Sequence, residues 1–195
     1  MNGWHILRRT LVAALGLCLV SVAAARDGSP RDPAGAALRT GGTVALIRHA
    51  TAPGTGDPAN FRLGDCSTQR NLSDAGRRQA AELGGRMRAA GVLVTEVRAS
   101  RWCRAQDTAA LAFPNVPTRP DAALDSFFAD SATGPSQTAQ ARRTIAEWQG
   151  RQGALAIVTH QVNITALTGV FPSEGEIVVV APRVGGFDVV GRTRM

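Results

Sequence analysis

Two of the three histidines in this 195-residue chain close apolar runs, VALIRH at 44–49 and ALAIVTH at 154–160. A neutral imidazole so placed can serve as nucleophile, as proton donor or acceptor, or as metal ligand. A single histidine of this kind is commonly structural, bonded to loop backbone; two of them in a histidine-poor chain point to a shared task. The rest of the sequence narrows that task. Catalytic zinc takes three protein ligands, yet there is no HExxH, and Cys66 and Cys103 do not form a CxxC. No GxSxG elbow marks a serine hydrolase. Neither cysteine has an arginine six residues on, where Leu72 and Ala109 stand, so the loop of a cysteine-nucleophile phosphatase is missing. All 22 basic residues are arginine, which removes both the P-loop lysine and the Schiff base. What remains is histidine as nucleophile among arginines that gather an anion, beginning with Arg48 directly before His49. Phosphoryl transfer suits that combination.

These side chains need elements to carry them. VALIRH is a short continuous apolar run of the kind expected for a strand buried on both faces. From Ser73, a cap, the residues Gly76, Ala80, Leu83, Met87 and Ala90 recur at helical spacing until Gly91 stops the pattern. VLVTEVRAS then predicts a second strand, RAQDTAALAF a helix, and residues 114–122 a Pro-rich connection. An amphipathic helix is expected between Ser136 and Gln149, with Thr138, Ala141, Ile145 and Trp148 inward. ALAIVTH is the third strand, VNITALTGV a short helix, and EIVVVAP and GFDVVGR a hairpin around Arg183 to Gly186. Strands alternating with helices imply an α/β sandwich of three layers around a mostly parallel sheet. In such sheets ligands bind beyond the carboxyl ends of the strands, where His49 and His160 can meet.

The motifs resemble those of the histidine phosphatase superfamily, the group that includes phosphoglycerate mutases and acid phosphatases. LIRHA is similar to its RHG signature, NLSDAGRRQA to its first helix start, SRWCRAQDTA to its second-arginine segment, and VTHQVNI to its second-histidine strand. They occur in the family's order across most of residues 43–170. The resemblance implies a phosphoglycerate mutase-like fold and makes His49 the phosphoryl acceptor and His160 the second active-site histidine. It gives Arg48 and Arg104 the phosphate oxygens; Arg104 is preferred to Arg101 because it lies four residues after Ser100 and directly precedes Ala105. Arg101 is then a rim residue. Arg70, in the loop DCSTQRN, is a further candidate for the phosphate pocket. The family places its proton donor either after a downstream strand or directly after the second histidine. Gln161 fills the latter position, so Asp125 in LDSFF is the candidate, its alternative being a turn cap, with Asp121 and Asp130 behind it. Ala50 departs from the glycine of RHG. The short segment before His160 offers little to enclose a substrate, which favours a phosphatase over a mutase. No cofactor or metal is called for, and the expected partner is a small phosphorylated substrate. A non-catalytic phosphate-binding module of the same fold is the rival reading, with a mutase-type phosphotransferase behind it.

Composition bounds the setting. Hydrophobic residues make up 44% and charged residues 19%, as in an ordinary globular domain. Residues 1–25 read as a signal peptide: Arg8 and Arg9, the apolar TLVAALGLCLVSV, then Ala23 to Ala25. The apolar stretch is shorter than the roughly 20 residues of a spanning helix, so no stable membrane span is expected after its removal. Residues 26–42 read as a flexible leader and 43–195 as one domain. Export implies a periplasmic or secreted protein. The net charge of +7 loses two arginines with the signal, and the 5% aromatic content offers few stacking groups, so nucleic acid is not the expected partner. In an oxidising compartment Cys66 and Cys103 either pair or remain two small buried hydrophobes.

Overall fold

A computed structural model of the protein describes Met1 and residues 32–195. Residues 2–31, and with them the signal reading and the first part of the leader, lie outside the described residues. In chain order the elements are α1 (Pro33–Thr40), β1 (Thr43–Arg48), α2 (Asp74–Ala89), β2 (Val94–Ala99), α3 (Cys103–Ala112), β3 (Thr118–Pro120), α4 (Gly134–Ala146), β4 (Ala154–Thr159), α5 (Gln161–Thr168), β5 (Ile177–Arg183) and β6 (Gly186–Thr193).

Among the described residues six strands form one sheet in the order β3-β2-β4-β1-β5-β6. The first four are mutually parallel, and β5 and β6 run antiparallel to β1 and to each other. Because side chains alternate across a strand, the central strands feed two cores. Ala45 and Ile47 of β1 join Leu83 and Met87 of α2, Ala105 and Ala109 of α3 and Leu38 of α1 on one face. Val44 and Leu46 join Ile145 of α4, Trp148 and Ile164 of α5 on the other. Strands buried on both sides must be apolar throughout, which is why VALIR and ALAIV show no alternation. These are the three layers that the residue pattern predicts.

Two segments differ from the sequence reading. Residues 33–40, expected within a flexible leader, form α1. Asp32 caps it by accepting the Gly35 amide at 2.9 Å, Pro33 stands in the first turn, and Ala34 and Leu38, one turn apart, are buried. Proline, glycine and charge read as a loop here because the cap and the two apolar contacts lie among them. Within the Pro-rich connection, Thr118–Pro120 pairs with β2 as the edge strand β3, a place where proline's missing amide is tolerated.

α2 begins where the sequence predicts, with Ser73 Oγ accepting the Gly76 amide at 3.0 Å. Gly76 matters for a second reason: a Cβ there would lie 2.1 Å from the Thr51 carbonyl oxygen. Only glycine lets the helix approach the segment that follows His49. That segment is also held by Thr108 Oγ1, which accepts the Ala50 amide at 3.0 Å, and by Gln79 Oε1, which accepts the Thr51 amide at 2.9 Å. Ala50, the departure from the RHG glycine, is buried with Ala52, Leu72 and Ala80 in a small apolar cluster that uses its methyl group.

Candidate active site

β1 and β4 are neighbours paired in parallel, with Arg48 opposite Thr159. One residue further on, His49 donates its amide to the Thr159 carbonyl at 2.9 Å, so register alone sets His49 beside His160. The ring centroids are 5.4 Å apart at 65°. After β1 the chain passes to α2 on one face of the sheet, and after β4 to α5 on the other, which opens a crevice at the shared carboxyl ends. His160 is the residue before the first turn of α5.

A cavity of about 400 Å³ occupies this crevice, lined by Arg48, His49, Arg70, Arg104 and His160, with Asp57 and Trp102 beside them. His49, Arg104 and His160 are buried, whereas Phe128 and Phe171 at the mouth are exposed. Five of the six residues predicted for the site therefore converge.

The hydrogen bonds fix the chemistry of the first histidine. His49 Nδ1 is 2.8 Å from the Ala50 carbonyl oxygen. A carbonyl only accepts, so Nδ1 carries the proton and a neutral ring keeps its lone pair on Nε2. Burial, the largest cause, pushes His49 down to about 3, helped by the charges of Arg104, Arg70 and Arg48 and opposed by the Ala50 bond. His160 is held well below its ordinary value by burial first, then by His49 and the same three arginines. Both rings are thus neutral at neutral pH. His160 Nε2 lies 2.8 Å from Ser100 Oγ, and its Nδ1 is buried without a partner among the described residues.

The arginines are held in different ways. Arg48 donates to the Pro172 carbonyl at 3.0 Å and faces Glu174 at 3.7 Å. Arg70 donates through Nε to the Gly56 carbonyl at 2.7 Å and through Nη1 to the Ala52 carbonyl, so it shapes the loop as well as lining the cavity. Arg104 presents a fork to Asp57, Nη1 to Oδ1 at 2.6 Å and Nη2 to Oδ2 at 3.1 Å. The bridge between Cys66 and Cys103 anchors this arrangement: its Cα atoms are 5.7 Å apart, and it ties the Arg70 loop to the residue before Arg104. The two thiols pair rather than sit apart.

Asp125 is the predicted residue that does not join the cavity. It is buried, but its carboxylate accepts the Arg101 amide at 2.8 Å and Arg101 Nε at 2.7 Å, and its neighbour Ser126 lines the cavity instead. Asp125 Oδ1 also stands 3.3 Å from Ser100 Oγ, which places it behind His160 as a support. Arg101, read as a rim residue, is the partner of Asp125. The fallback acids are engaged elsewhere: Asp121 accepts the Ala123 amide and Asp130 the Ala132 amide, each capping a short turn. Sequence reasoning missed Asp57 and Trp102. The available signal was a carboxylate eight residues after His49, within the turn-rich run PGTGDP.

Comparison with known proteins agrees with this geometry. The sequence matches the profile of the Histidine phosphatase superfamily (branch 1) over residues 44–156. No curated protein matches the chain. Among solved structures, Bacillus stearothermophilus YhfR shares 18% identity, covering 76% of this chain and 95% of its own, with a TM-score of 0.56. The alpha-ribazole phosphatase of Shigella flexneri shares 15%, covering 78% and 96%, at 0.56. A phosphoglycerate mutase of Bacillus anthracis shares 14%, covering 76% and 91%, at 0.58. At such identities these neighbours establish the fold, which is phosphoglycerate mutase-like. With more than half of the sequence matched by the profile and both histidines at adjoining strand ends, the chain belongs to the histidine phosphatase superfamily.

Proposed function

We propose that the protein hydrolyses phosphomonoesters through a phosphohistidine on His49, without a metal. The observation that carries this reading is the His49 tautomer: Nδ1–H is bound to the Ala50 carbonyl, and the Nε2 lone pair is left in a cavity lined by three arginines. The ring is placed and neutral before substrate arrives, and guanidinium groups match the charge of the transferred group, so positioning and electrostatics are prepared in advance. Phosphate oxygens fall to Arg104 and Arg48, with Arg70 keeping the loop in place. His160 supports the same group from the adjoining strand. Hydrolysis is favoured over mutase chemistry by the exposed mouth at Phe128 and Phe171, since a mutase must keep its phosphoenzyme from water.

Export belongs to the same proposal. It rests on the signal-like pattern of residues 1–25, and the Cys66–Cys103 bridge is the kind that an oxidising compartment permits. Among the described residues no helix is long and apolar enough to cross a membrane.

Purified protein incubated with p-nitrophenyl phosphate should release p-nitrophenol with and without EDTA, and His49→Ala should release none. Rapid acid-free denaturation during turnover of a ³²P-labelled ester should leave label on His49 that is stable to alkali and labile to acid. Label on another side chain, or turnover that EDTA abolishes, overturns the reading.

A further inference from the structure

The reaction needs a proton for the departing alkoxide, and Asp125 faces away from the cavity. Among the described residues lining it, Asp57 is the one carboxylate. Resting on the phosphatase reading above, we infer that Asp57 is the acid that protonates the leaving group, and that in the free protein it occupies the phosphate fork of Arg104 until substrate displaces it.

The fork carries the first half of this inference. Arg104 is buried, and both terminal nitrogens are committed to Asp57, while Trp102 Nε1 donates to Oδ2 at 2.9 Å and the Arg70 amide to Oδ1 at 3.3 Å. A carboxylate held by two parallel N–H bonds uses the same donors as a bidentate phosphate. Only one of the two anions can have them. Asp57 thus sits where a substrate phosphate must go, and binding is an exchange of anions on one guanidinium.

The loop permits the exchange. Gly54 and Gly56 flank Thr55 just before Asp57, at φ of 92° and 70°, in the left-handed region where glycine alone moves freely. Residues 53–55 and 58–60 are exposed, so they lose no core contacts on moving. Arg70 keeps hold of the Ala52 and Gly56 carbonyls, which leaves the Asp57 side chain within reach of the cavity after it lets go.

The electrostatics supply the second half. Burial pushes the Asp57 carboxyl up, but the bonds from Arg104 and Trp102, the Arg104 charge and the Arg70 amide outweigh it and hold the group below its ordinary value. An acid in that state cannot protonate an alkoxide. When a phosphate dianion takes the fork, Asp57 loses its two strongest donors and gains an adjacent anion, and both changes favour the protonated form. The carboxyl takes a proton from solvent as the substrate binds. His49 Nε2 then forms the N–P bond while the P–O ester bond breaks. The electron pair goes to the ester oxygen, which receives the Asp57 proton. In the second half, water attacks phosphorus and gives a proton to the Asp57 carboxylate, the N–P bond breaks, and phosphate leaves. Asp57 releases its proton to solvent and returns to Arg104.

The test compares Asp57→Asn with wild type on two esters and one inhibitor. p-Nitrophenolate departs without a proton, whereas glycerol 1-phosphate must release an alkoxide. Loss of a general acid costs about 10²- to 10⁴-fold, so kcat/KM, which covers binding through departure of the alcohol and leaves out the dephosphorylation common to both esters, should fall by at least about tenfold more on glycerol 1-phosphate than on p-nitrophenyl phosphate. Orthovanadate inhibition should tighten by about tenfold, the value for a fork otherwise free in about one molecule in ten. Equal losses on both esters, or vanadate that binds no better or worse, overturn the inference. Should the variant fail to fold, wild-type protein still decides it: the indole Nε1–H resonance of Trp102, assigned with Trp102→Phe, should shift when tungstate is added, and an unmoved resonance overturns the exchange. A wild-type protein that hydrolyses neither ester sinks the phosphatase reading instead.

Discussion

Acidification from pH 7.5 to 5 should destabilise the protein through His49 while leaving that histidine neutral. His49 is 2% exposed, and burial lowers it to about 3 from 6.5. Between those values an unfolded chain binds a proton that the folded chain refuses. The contribution is therefore complete above 6.5 and is lost as pH falls toward 3. At pH 5 the unfolded state is 1.5 units below its own midpoint, so the loss is about 2 kcal/mol at about 1.36 kcal/mol per unit. At pH 5 a folded midpoint of about 3 leaves the folded ring almost wholly unprotonated, so the loss is set by the unfolded chain. His160, held low by the same burial, adds a loss of the same sign. Urea unfolding at the two pH values measures this directly. Wild type should lose at least about 2 kcal/mol, and His49→Asn should lose about 2 kcal/mol less than wild type over the same interval. Long-range ¹H–¹⁵N spectra of the imidazole nitrogens give the second reading. His49 should show a protonated Nδ1 and bare Nε2 down to pH 5, where about 99% of it is neutral against about 3% of an ordinary histidine. An equal pH-dependent loss in His49→Asn, or titration of His49 near 6.5, refutes the argument that burial sets its state.

Three other perturbations test separate parts of the construction. Arg104→Lys keeps the charge and removes the fork, so kcat/KM on p-nitrophenyl phosphate should fall by about 10²- to 10³-fold; retention within a few-fold would show that the fork is not used. The Cys66–Cys103 bridge closes 37 residues of chain, so replacing both cysteines by serine should cost about 4 kcal/mol and, for a domain of this size, lower Tm by about 8–16 °C in calorimetry. Gly76→Ala puts a Cβ 2.1 Å from the Thr51 carbonyl, and the helix start must shift away from the segment after His49; a loss of about 1–3 kcal/mol in urea unfolding should accompany reduced kcat, and an unchanged midpoint would contradict the packing.

Much of this architecture was legible because local rules and tertiary demands coincide. The uninterrupted apolar character of VALIR and ALAIV is what burial on both faces requires, and Ser73 with its helical stripe marks α2 from cap to Gly91. Where the local signal was ambiguous, the reading failed. Residues 33–40 looked like leader because their helix is stabilised by Ala34 and Leu38 against the sheet, contacts that no local pattern displays. Asp125 stood in the expected interval for an acid, yet its direction depends on Arg101, which turns the carboxylate behind Ser100 rather than into the cavity.

By itself, the sequence determined which atoms can react: histidines closing two buried strands, arginines without lysines, and motifs in a recognisable order. Those are matters of residue type and periodicity, which a chain carries before it folds. Only the tertiary structure decided which nitrogen of His49 keeps its lone pair, which carboxylate meets Arg104, and that His49 and His160 stand side by side. Each of these depends on groups distant in sequence: a strand register joining residues 48 and 159, or a fork joining residues 57 and 104. Such pairings are selected by the free energy of the whole packed domain, and no short window of sequence contains it.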